Sequence, residues 1–292
     1  MSAIYHPLNA YFDTMYANRS TVVWRGYKVM LFKQAWGELA IAEQGAQILH
    51  YRPSGHAPAL WLSDQSAGPG EAIRGGIPLC WPWFGAHPTG AKQPNHGLAR
   101  TAIWDLCEEQ HLDNFSHWVL EAPHLLEGVT LRLIVRASQQ KLDIQLSTQN
   151  DRDQAFTMTQ ALHSYFQLSD TANLCVTGLE EEVFYDKLEQ RFRREPESRW
   201  NLAMDRIYQH SGNCQLIDQG LARTISISKG NSKSTVIWNP GKESVLRDIA
   251  PNQLSSFICI EAANTAQYDA INVPAGRTFS VGTVIKCRNM GL

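Results

Sequence analysis

The sequence of 292 residues has little charge: Asp, Glu, Lys and Arg make up 18%, against about 25% in an average soluble domain. That shortage argues against a disordered chain and against long solvated helices, while 43% hydrophobic residues supply material for a large core. Neither sign of charge dominates, the formal net charge being −2. There is no basic tail or Lys/Arg run, so the footprint of a nucleic-acid-binding protein is missing. No apolar run approaches the ~18 residues needed to span a bilayer, so no membrane partner is expected. The first residues, Met1-Ser2-Ala3-Ile4-Tyr5-His6-Pro7, lack a basic stretch followed by an apolar one, and no signal peptide is expected. The six cysteines (Cys80, Cys107, Cys175, Cys214, Cys259 and Cys287) are scattered, with no CxxC spacing. Isolated cysteines in apolar runs usually act as small buried hydrophobes. Free thiols suggest a reducing compartment, so the cytoplasm is the expected location. Also lacking are a GxGxxG or Walker loop, a βαβ rhythm, internal repeats and low-complexity segments.

What is present is period-2 patterning. Leu142, Ile144 and Leu146 alternate with Asp143, Gln145 and Ser147, and Ile225 and Ile227 alternate with Thr224, Ser226 and Ser228. Phe279, Val281, Thr283 and Ile285 form a looser case. Such alternation places one set of side chains on a core face and the other on the opposite face. Segments 129–136, 235–238 and 256–261 read as more fully buried strands. Turn signals fall between the runs, at Gly128, Asn150-Asp151, Gly212-Asn213, Gly230-Asn231 and Pro240-Gly241. Helical stretches are few, with a short one expected between Asn9 and Ala17. Many strands separated by turns imply an all-β sandwich or barrel. A length prior of roughly 150 residues per domain would divide the chain, but all-β units often run longer. With no linker apparent, one domain over 1–292 is expected.

Residues 68–100 break the pattern, being crowded with Gly, Pro, His and aromatics. Within them Arg74-Gly75-Gly76 is followed by Trp81, Trp83 and Phe84. The glycines permit a sharp turn or close approach to a ligand, and the aromatics suit either core packing or sugar C–H faces. A guanidinium beside two glycines is harder to read as core, because buried it needs an anionic partner. Further on comes Asn95-His96-Gly97-Leu98-Ala99-Arg100. If extended, this segment would point His96 and Arg100 to one face. An arginine fork suits phosphate, although a surface arginine and a loop histidine would look the same. His163, in Leu162-His163-Ser164-Tyr165-Phe166, lies in an apolar strand, where a histidine is more often a satisfied core residue than a catalyst. Glu261 ends the apolar strand Phe257-Ile258-Cys259-Ile260. A carboxylate there is costly unless paired or functional, and burial would raise its pKa towards the range of a working base. Asp205-Arg206-Ile207-Tyr208 places an acid on a strand-like segment, Tyr185-Asp186-Lys187 reads as a turn, and Trp238-Asn239-Pro240 ends a strand. A metal site from His87, His96 and a carboxylate is disfavoured, because neither HExxH nor Cys/His ligand spacing is present.

Six of these pieces, in this order, resemble the hexose-6-phosphate mutarotases (glucose-6-phosphate 1-epimerases) of the galactose-mutarotase-like superfamily. They are RGGIPLCWPWFG at 74–85, HGLAR at 96–100, LHSYF at 162–166, DRIY at 205–208, WNP at 238–240 and the strand ending in Glu261. With the strands around them the resemblance covers roughly residues 30–287. It implies a large antiparallel β-sandwich with few short helices, binding a small-molecule sugar phosphate across one concave face, with a monomer expected. By the same resemblance, His163 protonates the ring oxygen and Glu261 takes the C1 hydroxyl proton. Arg74 and Arg100 hold the phosphate, Asp205 accepts from sugar hydroxyls, and His96 and Asn95 complete the pocket. Neither a cofactor nor a metal is required by that chemistry. The chain departs from the pattern at Asn95, where the family often has Gln, and at Ala262-Ala263, where many relatives have Pro-Gly.

Overall fold

The computed structural model describes residues 4–194, 200 and 202–291. Two large antiparallel sheets carry the molecule. The first runs, in spatial order, Arg191–Arg194, Val183–Asp186, Met204–Gln209, Ser234–Asn239, Phe257–Asn264, Gln160–Leu162 and Leu79–Cys80, with Tyr165–Gln167 also paired to Phe257–Asn264. The second runs Leu174–Thr177, Cys214–Asp218, Arg223–Gly230, Thr278–Asn289, Leu142–Asn150, Val129–Ser138, Phe115–Glu121 and Asp105–His111. A four-stranded meander from Arg19–Trp24 to Ile48–Pro53 and a short pair, Phe156–Met158 with Ile271–Val273, complete it. The fold is the all-β architecture that the patterning predicts, with the antiparallel sheets that the resemblance implies.

The core lies between the sheets. Leu131, Leu133, Val135, Leu142, Ile144, Leu146, Ile225, Ile227, Val281 and Ile285 from the second meet Leu162, Phe166, Ile237, Ile258 and Ile260 from the first. Strands Leu142–Asn150 and Arg223–Gly230 alternate buried and half-buried positions, as read. Ser234–Asn239 and Phe257–Asn264 are buried almost throughout, also as read. Segment 129–136 differs from expectation: Val129–Ser138 alternates, with Arg132 and Arg136 exposed on the face turned away from the core. The helix is shorter than expected, spanning Asn9–Asp13. Leu8 and Phe12, one turn apart, are buried, whereas Tyr16 is fully exposed and has nothing to pack against.

Burial in this fold sets an expected pH dependence. His210 Nδ1 lies 2.9 Å from Thr235 Oγ1, and burial, with Lys229 nearby, pushes its pKa from 6.5 down to about 4. Between those values the unfolded chain takes up a proton that the folded chain refuses. Stability is therefore complete above pH 6.5 and is lost as pH falls towards 4, at up to about 1.4 kcal/mol per pH unit. His6 and His50, buried and lowered chiefly by desolvation, add to the same loss. Thermal unfolding between pH 7 and pH 4 checks this. Tm should fall through the window, and fall less in His210→Gln; a flat Tm would contradict the account.

Candidate active site

Strand Phe257–Asn264 divides its side chains by parity. Ile258, Ile260 and Ala262 enter the inter-sheet core, so Cys259, Glu261 and Ala263 face the other way. Register then assembles a row on that outer face. Asp205 pairs with Trp238, Trp238 with Cys259, and Cys259 with Tyr165. The next row on the same face is Ile207, Val236 and Glu261. Glu261 is thus mid-strand, rather than at the strand end as expected, and His163 sits in the break between Gln160–Leu162 and Tyr165–Gln167.

The glycine-rich segment is pinned beside this face by backbone bonds. His163 N donates to Pro78 O at 3.0 Å and Tyr165 N to Gly76 O at 2.9 Å. The approach is too close for any side chain: Gly76 has φ +61°, and a Cβ there would overlap the carbonyl oxygen of Ile48. Gly76→Ala is expected to cost upwards of about 1–3 kcal/mol, the range for a strained backbone residue, which chemical denaturation would register as a lower midpoint.

His163 Nε2 and Glu261 Oε1 are 3.3 Å apart, without the alignment of a hydrogen bond. Neither carboxylate oxygen of Glu261, nor His163 Nδ1, has a hydrogen-bond partner among the described residues, although Glu261 is only 1% exposed and His163 9%. Buried polar atoms are rarely left this way. The imidazole stacks on Tyr165, ring centroids 4.9 Å apart, and meets His96 and Trp238 edge-on. Desolvation, reinforced by Asp205, holds the Glu261 carboxyl well above its usual range, with Lys187 opposing. Desolvation, followed by the fields of His96, Arg74 and Arg100, holds His163 well below its own. A raised carboxyl facing a lowered imidazole can pass one proton between them.

Cationic groups surround the pair. Arg74 donates through Nε to Asp248 Oδ2 at 2.8 Å and through Nη1 to the Tyr165 hydroxyl at 2.9 Å. Its guanidinium lies 5.7 Å from the Trp238 ring centroid. Arg100 Nη2 donates to the carbonyl of Asn95 at 2.6 Å. His96 Nδ1 accepts from Gly85 N at 3.2 Å. Burial, with Arg100, Lys187 and Arg74, pushes the His96 pKa down to about 3, so it is neutral in ordinary buffers. Asp205 Oδ2 pairs with Lys187 Nζ at 2.7 Å.

The residues picked from the sequence therefore converge, with corrections. Segment 95–100 is not extended: His96 has φ +65° and Ala99–Thr101 is a 3-10 turn. The chain is tucked in by Leu98 N, which donates to Trp81 O at 2.7 Å. The same-face argument for His96 and Arg100 fails, and Arg100 instead folds back on Asn95. Trp81 is core, donating to Thr148 Oγ1 at 3.0 Å, whereas Trp238 borders the pair. His87 contacts Thr89 and Trp83. Sequence reasoning missed Lys187, Asp248 and the bracing role of Tyr165. Lys187 was read within a turn; it follows strand Val183–Asp186, and pairing of that strand with Met204–Gln209 carries it to Asp205. No sequence signal marks Asp248.

The family model described as aldose 1-epimerase matches residues 28–286. A Salmonella typhimurium protein named as a candidate glucose-6-phosphate 1-epimerase is 34% identical over 237 residues, covering 76% of this chain and 78% of that one. An Escherichia coli K12 protein of the same name is 29% identical over 256 residues, covering 78% of this chain and 80% of its own. The crystal structure of a candidate mutarotase from Salmonella typhimurium superposes with a TM-score of 0.86 at 26% identity, covering 97% of this chain and 100% of that one.

Proposed function

Because this chain belongs to the aldose 1-epimerase family, we propose that its mutarotase chemistry is directed at a hexose 6-phosphate, with glucose 6-phosphate the expected substrate. The observation that carries this is the His163–Glu261 contact at 3.3 Å set within the fields of Arg74 and Arg100. With the proton shared by the pair on His163 and Glu261 left as the carboxylate, His163 delivers it to the ring oxygen as the C1–O5 bond opens, while Glu261 takes the C1 hydroxyl proton. The aldehyde rotates about the C1–C2 bond, and reversal of the two transfers closes the other anomer. Each transfer contributes about 10²–10⁴-fold. A phosphate held by Arg74 and Arg100 offsets the positive field on His163, which favours the imidazolium needed to donate. Asp205, His96 and Asn95 contact the sugar. Neither a cofactor nor a metal has a part in these steps. No helix among the described residues is long and apolar enough to cross a membrane. With six free cysteines, the cytoplasm is the proposed location and a monomer the proposed state.

The test is anomer exchange of glucose 6-phosphate followed by NMR, which should exceed the spontaneous rate. One observation favours a second reading, an epimerase of unphosphorylated aldoses: Arg74 is already engaged by Asp248 and Tyr165. Equal efficiency on glucose and on its 6-phosphate would select that alternative. Tyr165→Phe removes one brace of Arg74, a hydrogen bond worth about 1 kcal/mol. On the phosphate reading it should raise KM for the phosphate ester about fivefold with kcat little changed.

A further inference from the structure

The proposed reaction makes no use of Cys259, yet this thiol lies two residues before Glu261 on the same strand face. His163, Cys259 and Glu261 each offer one ligand atom, and these atoms all lie within 4.8 Å of one another. All three residues are buried, and Glu261 keeps both oxygens unpartnered by hydrogen bonds.

We propose that these three side chains form a site for a thiophilic divalent cation of the zinc class, which binds in place of the sugar and stops turnover. The inhibitory part rests on the proposed function; the binding part does not. In a tetrahedral site with metal–nitrogen and metal–oxygen bonds of about 2.0–2.1 Å, neighbouring N and O ligands stand roughly 3.3 Å apart. His163 Nε2 and Glu261 Oε1 are 3.3 Å apart. A zinc–sulfur bond of ~2.3 Å requires the sulfur roughly 3.5 Å from each of them, so a side-chain shift of about 1 Å closes the set. Thiolate plus imidazole selects zinc, cobalt or cadmium over magnesium or calcium. Three protein ligands leave a fourth position for water, as in zinc sites open to solvent.

Charge does not forbid the cation. Thiol and carboxyl groups bind a metal ion as thiolate and carboxylate, giving any proton they carry to solvent, so two negative charges meet the dication and the coordinated set is neutral. Two of the nearby cations are paired with carboxylates, Arg74 with Asp248 and Lys187 with Asp205, which weakens their repulsion of a metal ion; Arg100 is held by the Asn95 carbonyl. A buried cysteine is more often an inert small hydrophobe; what sets this one apart is that its neighbours are an imidazole and a carboxylate with unpartnered atoms.

Cobalt(II) added to the whole chain in the absence of sugar is the test. Wild type should show a thiolate-to-cobalt charge-transfer band, quenched by zinc(II), and zinc should inhibit anomer exchange competitively with the sugar phosphate. Cys259→Ser should keep its metal-free exchange rate and lose the band. Loss of an outer-shell partner alone costs about 10–100-fold in metal affinity, so loss of the thiolate should raise the zinc concentration for half-inhibition by ~100-fold or more. Glu261→Gln, read by the cobalt band alone, gives a second check and should shift or abolish it. No band in wild type, or an unchanged band in Cys259→Ser, overturns the site. A band without detectable epimerisation would sink the proposed function and leave the site standing.

Discussion

Glu261→Gln is expected to slow anomer exchange by about 10²–10⁴-fold, the contribution of one positioned proton-transfer group, without loss of stability. The two halves of that expectation belong together. Glu261 is buried, its carboxyl is unpartnered by hydrogen bonds, and desolvation holds its pKa well up. An unsatisfied buried polar group costs about 1–3 kcal/mol; the amide, of the same shape, carries a similar cost and never the cost of a buried charge, so folding should lose nothing. Thermal unfolding and NMR exchange on the same preparation decide the matter. Slow exchange with an unchanged or higher Tm marks a residue kept for chemistry. Exchange at the wild-type rate would remove Glu261 from the mechanism, and a lower Tm accompanying the loss would reassign it to structure.

Arg100→Ala should separate the two substrate classes. Among the described residues its guanidinium makes one hydrogen bond, from Nη2 to the Asn95 carbonyl, while its Nε is buried without a partner, so truncation breaks no ion pair and leaves no buried charge behind. A hydrogen bond to a charged group is worth about 1.5–3 kcal/mol, and kcat/KM for the hexose 6-phosphate should fall roughly 10–100-fold. Efficiency on the unphosphorylated hexose should barely change. Arg74→Ala is a poorer probe because it also strands Asp248 and the Tyr165 hydroxyl, mixing stability with binding. Unchanged efficiency on both sugars in Arg100→Ala would end the phosphate role of this residue.

The sequence carried the architecture because alternation at 142–147 and 224–228 is a local consequence of one face meeting oil and the other water. It misread 129–136 because Ile134 interrupts an alternation that Thr130, Arg132 and Arg136 nonetheless obey. Among site residues, Glu261 announced itself, since a carboxylate inside Phe257–Asn264 has no comfortable structural reading. His163 did not, and its partnership with Glu261 depends on the long-range pairing of Gln160–Leu162 and Tyr165–Gln167 with that strand. His96 and Arg100 were named for a geometric reason that the turn at Gly97 cancels, and they reach the pair by another route. Asp248 and Lys187 act by salt bridges between segments distant in sequence, which no local pattern encodes.

The parity of Phe257–Asn264 reaches beyond chemistry. If this strand slid by one residue during folding, Glu261 would be driven between the sheets and Ile258, Ile260 and Ala262 would be turned out. Placing an unpartnered carboxyl among aliphatic side chains costs several kcal/mol, so the mispaired assembly would come apart sooner than the native one. The glutamate then acts as a proofreader of assembly as well as a proton carrier. A chain carrying Leu at this position should collect slipped, aggregation-prone forms on refolding even where its native state is the more stable.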